Sequence, residues 1–207
     1  FPKGVAEELL TETLKSKVDY YEKNELIYLV LHFPFYDSKE KVIVEKEIDF
    51  IIGNNFLVTA HYQPIEAFAQ FPRMFDSESV LDANNIGENS GFLFFYILKQ
   101  LYKYLDSDLD GIAVNLEKIE HDIFEGHERD AVNSISYTNR KIIKIRKAIG
   151  FHGDMIKSVE SAGTNIFGSN FSFNMSLILS EYNKVNTTAA WYKEVLVDMR
   201  DTNDTLL

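Results

Sequence analysis

Asp106, Asp108, Asp110 and Glu117, with Gly111 between them, stand where a twelve-residue calcium loop would place its ligands. Side-chain oxygens at the first, third and fifth positions and a bidentate glutamate at the twelfth enclose Ca²⁺, and the glycine makes the turn. Such a loop must interrupt a helix. Here Leu105, Leu109, Ile112 and Leu116 carry a helical apolar period straight through it. Ala113 also holds the eighth position, normally a large apolar residue, and no second loop follows. We therefore expect an unbroken helix with the four acids in solvent. The competing reading is a soluble helical interaction protein made Ca²⁺-responsive by residues 106–117.

A second acidic array lies near the end of the chain. Glu194, Asp198, Asp201 and Thr205 recur at helical spacing, opposite a heptad stripe of Ile178, Tyr182, Val185, Ala189, Tyr192, Leu196, Met199, Asn203 and Leu206. One face should pack and the other stay wet. Neither glycine nor proline stops this helix before Leu207, and the chain begins at Phe1 rather than Met. We expect a segment of a longer protein.

Other chemistry-bearing residues are less organised. His121 and Glu125 stand four apart on a helix, without an identifiable third ligand. His32 lies within an apolar strand and reads as a core or surface residue. The basic run Arg140 to Lys147 interleaves with isoleucines, as a solvated helix face does. Nucleophile elbows, phosphate loops, dinucleotide fingerprints and kinase motifs are all absent, and no nucleophile–base pair stands out, so catalytic residues are not expected.

Composition narrows the classes further. A net charge of −11 argues against a nucleic-acid partner and suits a protein that gathers cations. With no cysteine among 207 residues, a disulfide framework and thiolate metal sites are excluded, and a cytosolic setting follows. The longest wholly apolar run, Phe92 to Leu98, is far shorter than the ~20 residues of a membrane span.

These side chains need elements to hold them. All four prolines lie at or before Pro72, as do the β-rich segments. Residues 25–36 read as a strand covered on both faces, 42–52 as a second, and 56–61 as a third, with Gly53-Asn54-Asn55 offering positive-φ residues for a hairpin. Residues 5–15 and 65–74 read as flanking helices. Beyond about Glu88 the chain reads as helical: residues 91–124, then 129–159, a loop over 161–170, and the final helix. The fold class is thus α+β. An antiparallel meander within 1–88 is followed by two long antiparallel helices in 89–170 and a coiled-coil-like stalk in 171–207.

In this order the elements resemble the N-terminal cytosolic domain of the CorA family of magnesium and divalent-cation transporters. The carriers are Val5-Ala-Glu-Glu8, Lys17-Val-Asp-Tyr-Tyr21, Leu29-Val-Leu-His-Phe33, Leu116-Glu-Lys-Ile-Glu120, Ile145-Arg-Lys147, and Tyr192-Lys-Glu194 leading to Asp201. The family's Gly-Met-Asn tripeptide is absent from these residues. The resemblance implies a homopentamer in the plasma or inner membrane, with this segment cytoplasmic and joined to the membrane only through helices beyond it. Its stalks would line a funnel that feeds a pore for Mg²⁺, Co²⁺, Ni²⁺ or Zn²⁺. It places sensing acids at Glu7 and Glu8 and a funnel acid at Asp201, and Asp198 on the same wet face would join it as a metal-binding acid. The partner acids of the family fall at Lys99 and Leu177, which are not acids.

Overall fold

The computed structural model describes residues 2–37, 39–69, 71 and 89–207. A short helix α1 (Lys3–Glu8) precedes strands β1 (Lys17–Tyr21), β2 (Leu26–Asp37), β3 (Val42–Gly53) and β4 (Phe56–Ala60). Four helices follow: α2 (Ser90–Phe124), α3 (Glu128–Ile149), α4 (His152–Phe167) and α5 (Ser169–Leu206). The strands form one antiparallel sheet in the order β1-β2-β3-β4.

Strand β2 is buried from Leu26 through Phe35, because both of its faces are covered. Ile27, Leu29, Leu31, Phe33 and Phe35 pack with Ile48, Phe50 and Ile52 against the helices. The alternate residues Tyr28 and Val30, with Leu26 and Ile51, pack against Val5 and Leu9 of the N-terminal segment.

Strand β1 adds a fourth member to the expected three-stranded meander. Its signal was the alternation of Val18 and Tyr20 with Lys17, Asp19 and Tyr21. The β3–β4 hairpin falls where expected. Its turn residues Asn54 and Asn55 do not use positive φ, which non-glycine residues adopt only at Glu25 and Lys41 among those described.

Three helix boundaries differ from the periodic reading. Helix α1 ends at Glu8 instead of near Lys15, because both backbone polar groups of Thr13 are held from outside a helix. Its N–H donates to Glu47 Oε2 at 2.6 Å, and its carbonyl accepts from His32 Nε2 at 2.9 Å. The helix expected over 129–159 is broken at Gly150. Residues 161–167, expected as loop, are helical. The small residues there permit close packing: a Cβ on Gly163 would lie 2.2 Å from the Phe171 ring, and one on Gly91 2.9 Å from the same ring. The chain turns between α4 and α5 only at Gly168, whose φ of +81° suits glycine. Helical structure covers 66–69; residues 72–74 of the expected 65–74 helix lie outside the described residues.

Candidate functional site

Helix α2 runs unbroken through residues 106–117, so no cation loop forms there. Three of the four acids behave as expected of a helix face. Asp110 and Glu117 are exposed, and Asp106 pairs with Lys184 of α5 at 2.5 Å. Asp108 does not stand in solvent: its Oδ2 is buried without a hydrogen-bond partner, and burial pushes its pKa up to about 6, against the opposing charge of Lys141.

Helix α5 packs on the expected stripe, which begins earlier, at Phe171 and Met175. Tyr182, Tyr192 and Leu196 are buried, and Met199 packs against the core; Leu206, at the end of the stripe, is half exposed. On the opposite face Glu194, Asp198, Asp201 and Thr205 are all exposed. Asp198 borders a cleft of about 220 Å³ with Glu120, Ile123 and Met199, and Asp201 lies 3.1 Å from the neighbouring Arg200 guanidinium. This end of the helix is thus acidic and open to solvent.

On the outer face of the sheet, α1 carries Glu7 into solvent and Glu8 toward the strands, where Glu8 pairs with Lys17. Lys17 also lies 3.3 Å from Asp19 and 5.0 Å from the Tyr28 ring centroid. Burial opposes the charge on Lys17, but the bonds to Glu8 and Asp19 outweigh it and hold its pKa above the ordinary value. Among the described residues no group of three or more metal-ligating side chains converges. Glu7 and Glu8 are neighbours on one helix, Asp198 and Asp201 on another.

Lys99 and Leu177 line one cavity of about 480 Å³ between the N-terminal parts of α2 and α5, together with Phe92, Phe95, Phe171 and Phe173. The Lys99 ammonium sits 5.9 Å from the Phe95 ring centroid, so this site carries a fixed cation against aromatic walls.

The basic run on α3 is partly docked on the sheet, not solvated throughout. Lys144 Nζ donates to the Ile43 carbonyl at 2.9 Å, and Lys147 lies 3.7 Å from Glu45. Lys141 stacks over the rings of Tyr36 and Tyr137 at 4.4 and 4.6 Å.

Sequence reasoning missed a buried polar cluster on the outer face of the sheet. His32, Glu47 and Asp49 are 7%, 2% and 0% exposed, and His32 Nε2 lies 3.4 Å from Glu47 Oε2. Burial pushes the Asp49 pKa up to about 7, assisted by the nearby charge of Glu47. The available signal was Glu47-x-Asp49 at strand spacing in an otherwise apolar stretch. Through the sheet, the His32 carbonyl accepts from His152 Nε2 at 3.0 Å, and His152 Nδ1 accepts from the Tyr102 hydroxyl at 2.9 Å. Burial depresses the His152 pKa to about 3, so its ring is neutral.

A meander backed by helices, with a long acidic-faced stem, defines a mixed α+β domain. The chain belongs to the CorA-like Mg²⁺ transporter protein family, whose model matches residues 1–207. It is 21% identical over 188 residues to the cobalt/magnesium transport protein CorA of Methanocaldococcus jannaschii, covering 90% of this chain and 58% of that protein. The chain therefore spans little more than half the length of that relative. The solved soluble domain of the same CorA matches at a TM-score of 0.77 and 19% identity, over 92% of this chain and 74% of that one. Full-length CmaX matches at a TM-score of 0.82 and 12% identity, over all of this chain and 61% of that one. These likenesses establish the shared fold. Among the described residues, no helix is long and apolar enough to cross a membrane.

Proposed function

We propose that this chain is the cation-responsive cytoplasmic domain of a CorA-type transporter for Mg²⁺ or a related divalent cation, working as a homopentamer. The reading rests on the exposed acidic face of α5, carried by a chain that belongs to a transporter family along its whole length. Five copies of Asp198 and Asp201 around one axis would repel by about 1 kcal/mol per pair at contact distance, even in bulk water. A hydrated divalent cation relieves that repulsion, so such a ring concentrates its cargo at a pore mouth. Glu7 and Glu8 would offer hard oxygen ligands of the kind Mg²⁺ prefers, between protomers. A cation at Glu8 must compete with Lys17, which already holds that carboxylate.

Converting Asp198 and Asp201 together to Asn in the full-length protein should lower cation flux while leaving the thermal transition of the domain in place. Unchanged flux at normal membrane expression would reduce this face to ordinary solvated surface.

A further inference from the structure

Strand β3 points Glu47 and Asp49 to the outer face of the sheet, two residues apart and both sealed under the N-terminal segment. Glu47 is half satisfied: Oε2 accepts the Thr13 N–H, while Oε1 meets no donor. Neither oxygen of Asp49 meets a donor, nor does the buried Tyr28 hydroxyl have a partner. Two buried carboxyl groups on one face of β3, with three oxygens that meet no donor, lack one hydrogen. Paired carboxylates commonly resolve this by holding a single proton.

The surroundings favour that occupant. From β2 the cluster is faced by His32 and Tyr28, and from β1 by Lys17, with Asp19 beyond it. Strand β4 brings Ala60 opposite Asp49 and no ionisable group, and Tyr62 follows it. The N-terminal segment adds the charge of Glu8, and Glu12 acts on Tyr62. Carboxyls therefore outnumber ammonium groups around Asp49, which penalises a second buried negative charge.

We propose that Glu47 and Asp49 share one proton, and that this proton latches the N-terminal segment onto the outer face of the sheet. Asp49 donates to Glu47 Oε1, which leaves Oε2 to hold the Thr13 N–H while His32 holds the Thr13 carbonyl. Loss of the proton leaves two adjacent buried anions. Water relieves their repulsion, and water enters only when residues 2–16 lift and uncover Val5 and Leu9. Once hydrated, Asp49 titrates in the ordinary carboxyl range, so opening releases one proton between about pH 4 and 7. Glu7 and Glu8 ride on the same segment.

The protection factor of the Thr13 amide against hydrogen exchange reads this opening, with the intrinsic pH dependence divided out. It should fall about tenfold per pH unit from about pH 5 to 7 and then level, as release of one proton requires. Asp49→Asn keeps a donor to Glu47 without a titration, so its protection should stay high and flat. A flat wild-type profile, or an equal fall in Asp49→Asn, overturns the latch. So does recovery of the acid-pH protection at about pH 8 on adding Mg²⁺, because the occupant would then be a divalent cation. Should Asp49→Asn not fold, the ¹³C titration of the wild-type Asp49 carboxyl decides: its midpoint must coincide with the loss of Thr13 protection, and a separate midpoint rejects the proposal.

Discussion

Toward the helices, β2 and β3 present Ile27, Leu29, Leu31, Phe33, Ile48, Phe50 and Ile52; toward the N-terminal segment the same strands present Tyr28, Val30, His32, Glu47, Asp49 and Ile51. Both sets are buried. The inner set meets α2 through ring contacts such as Phe50 on Phe94 at 5.3 Å, and the polar residue packed beneath it, His152 of α4, is satisfied at both nitrogens. The outer set is covered by a short helix and an irregular segment, and it buries acids that lack donors. A pleated strand gives its two faces the same backbone and the same stiffness. What separates them is what each face is asked to desolvate. Close packing depends on volume and is indifferent to pH, whereas a buried carboxyl pair depends on a proton.

The comparison breaks most visibly under truncation. Phe50→Ala on the inner face should cost about 3–5 kcal/mol in denaturant unfolding. Val5→Ala on the outer face should cost about 1–2 kcal/mol, from two lost methyl groups. Equal costs would mean that the N-terminal segment is packed as tightly as α2.

A pH series sharpens the contrast, because the two faces push stability in opposite directions. The raised Asp49 pKa means that the folded state keeps a proton the unfolded chain has released, so its contribution is present below about pH 4 and is lost as pH rises through about 7. The depressed His152 pKa does the reverse: its contribution is present above pH 6.5 and is lost as pH falls toward 3. Asp108, pushed up to about 6, adds to the sign of Asp49. Between about pH 4 and 6.5 the Asp49 and His152 effects oppose each other. Asp49→Asn should therefore turn the stability profile upward with pH, by up to about 1.4 kcal/mol per unit relative to wild type. An unaltered slope would place the titrating group elsewhere.

The smallest expected effect is at the rim of the outer face. Lys17→Met removes the partner of Glu8 and Asp19, but those side chains are 39% and 45% exposed, so about 1 kcal/mol or less is at stake in thermal unfolding.

Much of this was legible in residue spacing, and the exceptions have physical causes. The ten-residue burial of β2 and the seam of α5 followed from period, since apolar burial decides both; the hairpin fell at Asn54-Asn55 as expected, but without the positive φ its turn chemistry suggested. The end of α1 was not legible. Local propensity allowed a longer helix, and Glu47 and His32, remote in sequence, took the Thr13 backbone away from it. The last turns of helix α4 were hidden for a related reason. Gly163 looks like a loop residue until Phe171 needs the space it leaves. Of the candidate acids, the exposure of Glu194, Asp198 and Asp201 was readable from the stripe opposite them. The pairing of Glu8 with Lys17 was not, because the docking of α1 on the sheet sets it and a helix period does not.

Three hydrogen bonds tie the helices to the β2–β3 hairpin across long stretches of sequence: Tyr137 to Lys41, Lys144 to Ile43 and His152 to His32, spanning 96, 101 and 120 residues. The meander joins only consecutive strands, so it can form from near neighbours. These three clasps close much larger loops, and loop closure is repaid only after both halves exist. They therefore belong to the descending side of the folding barrier. Weakening them should hasten unfolding and leave the refolding rate nearly untouched.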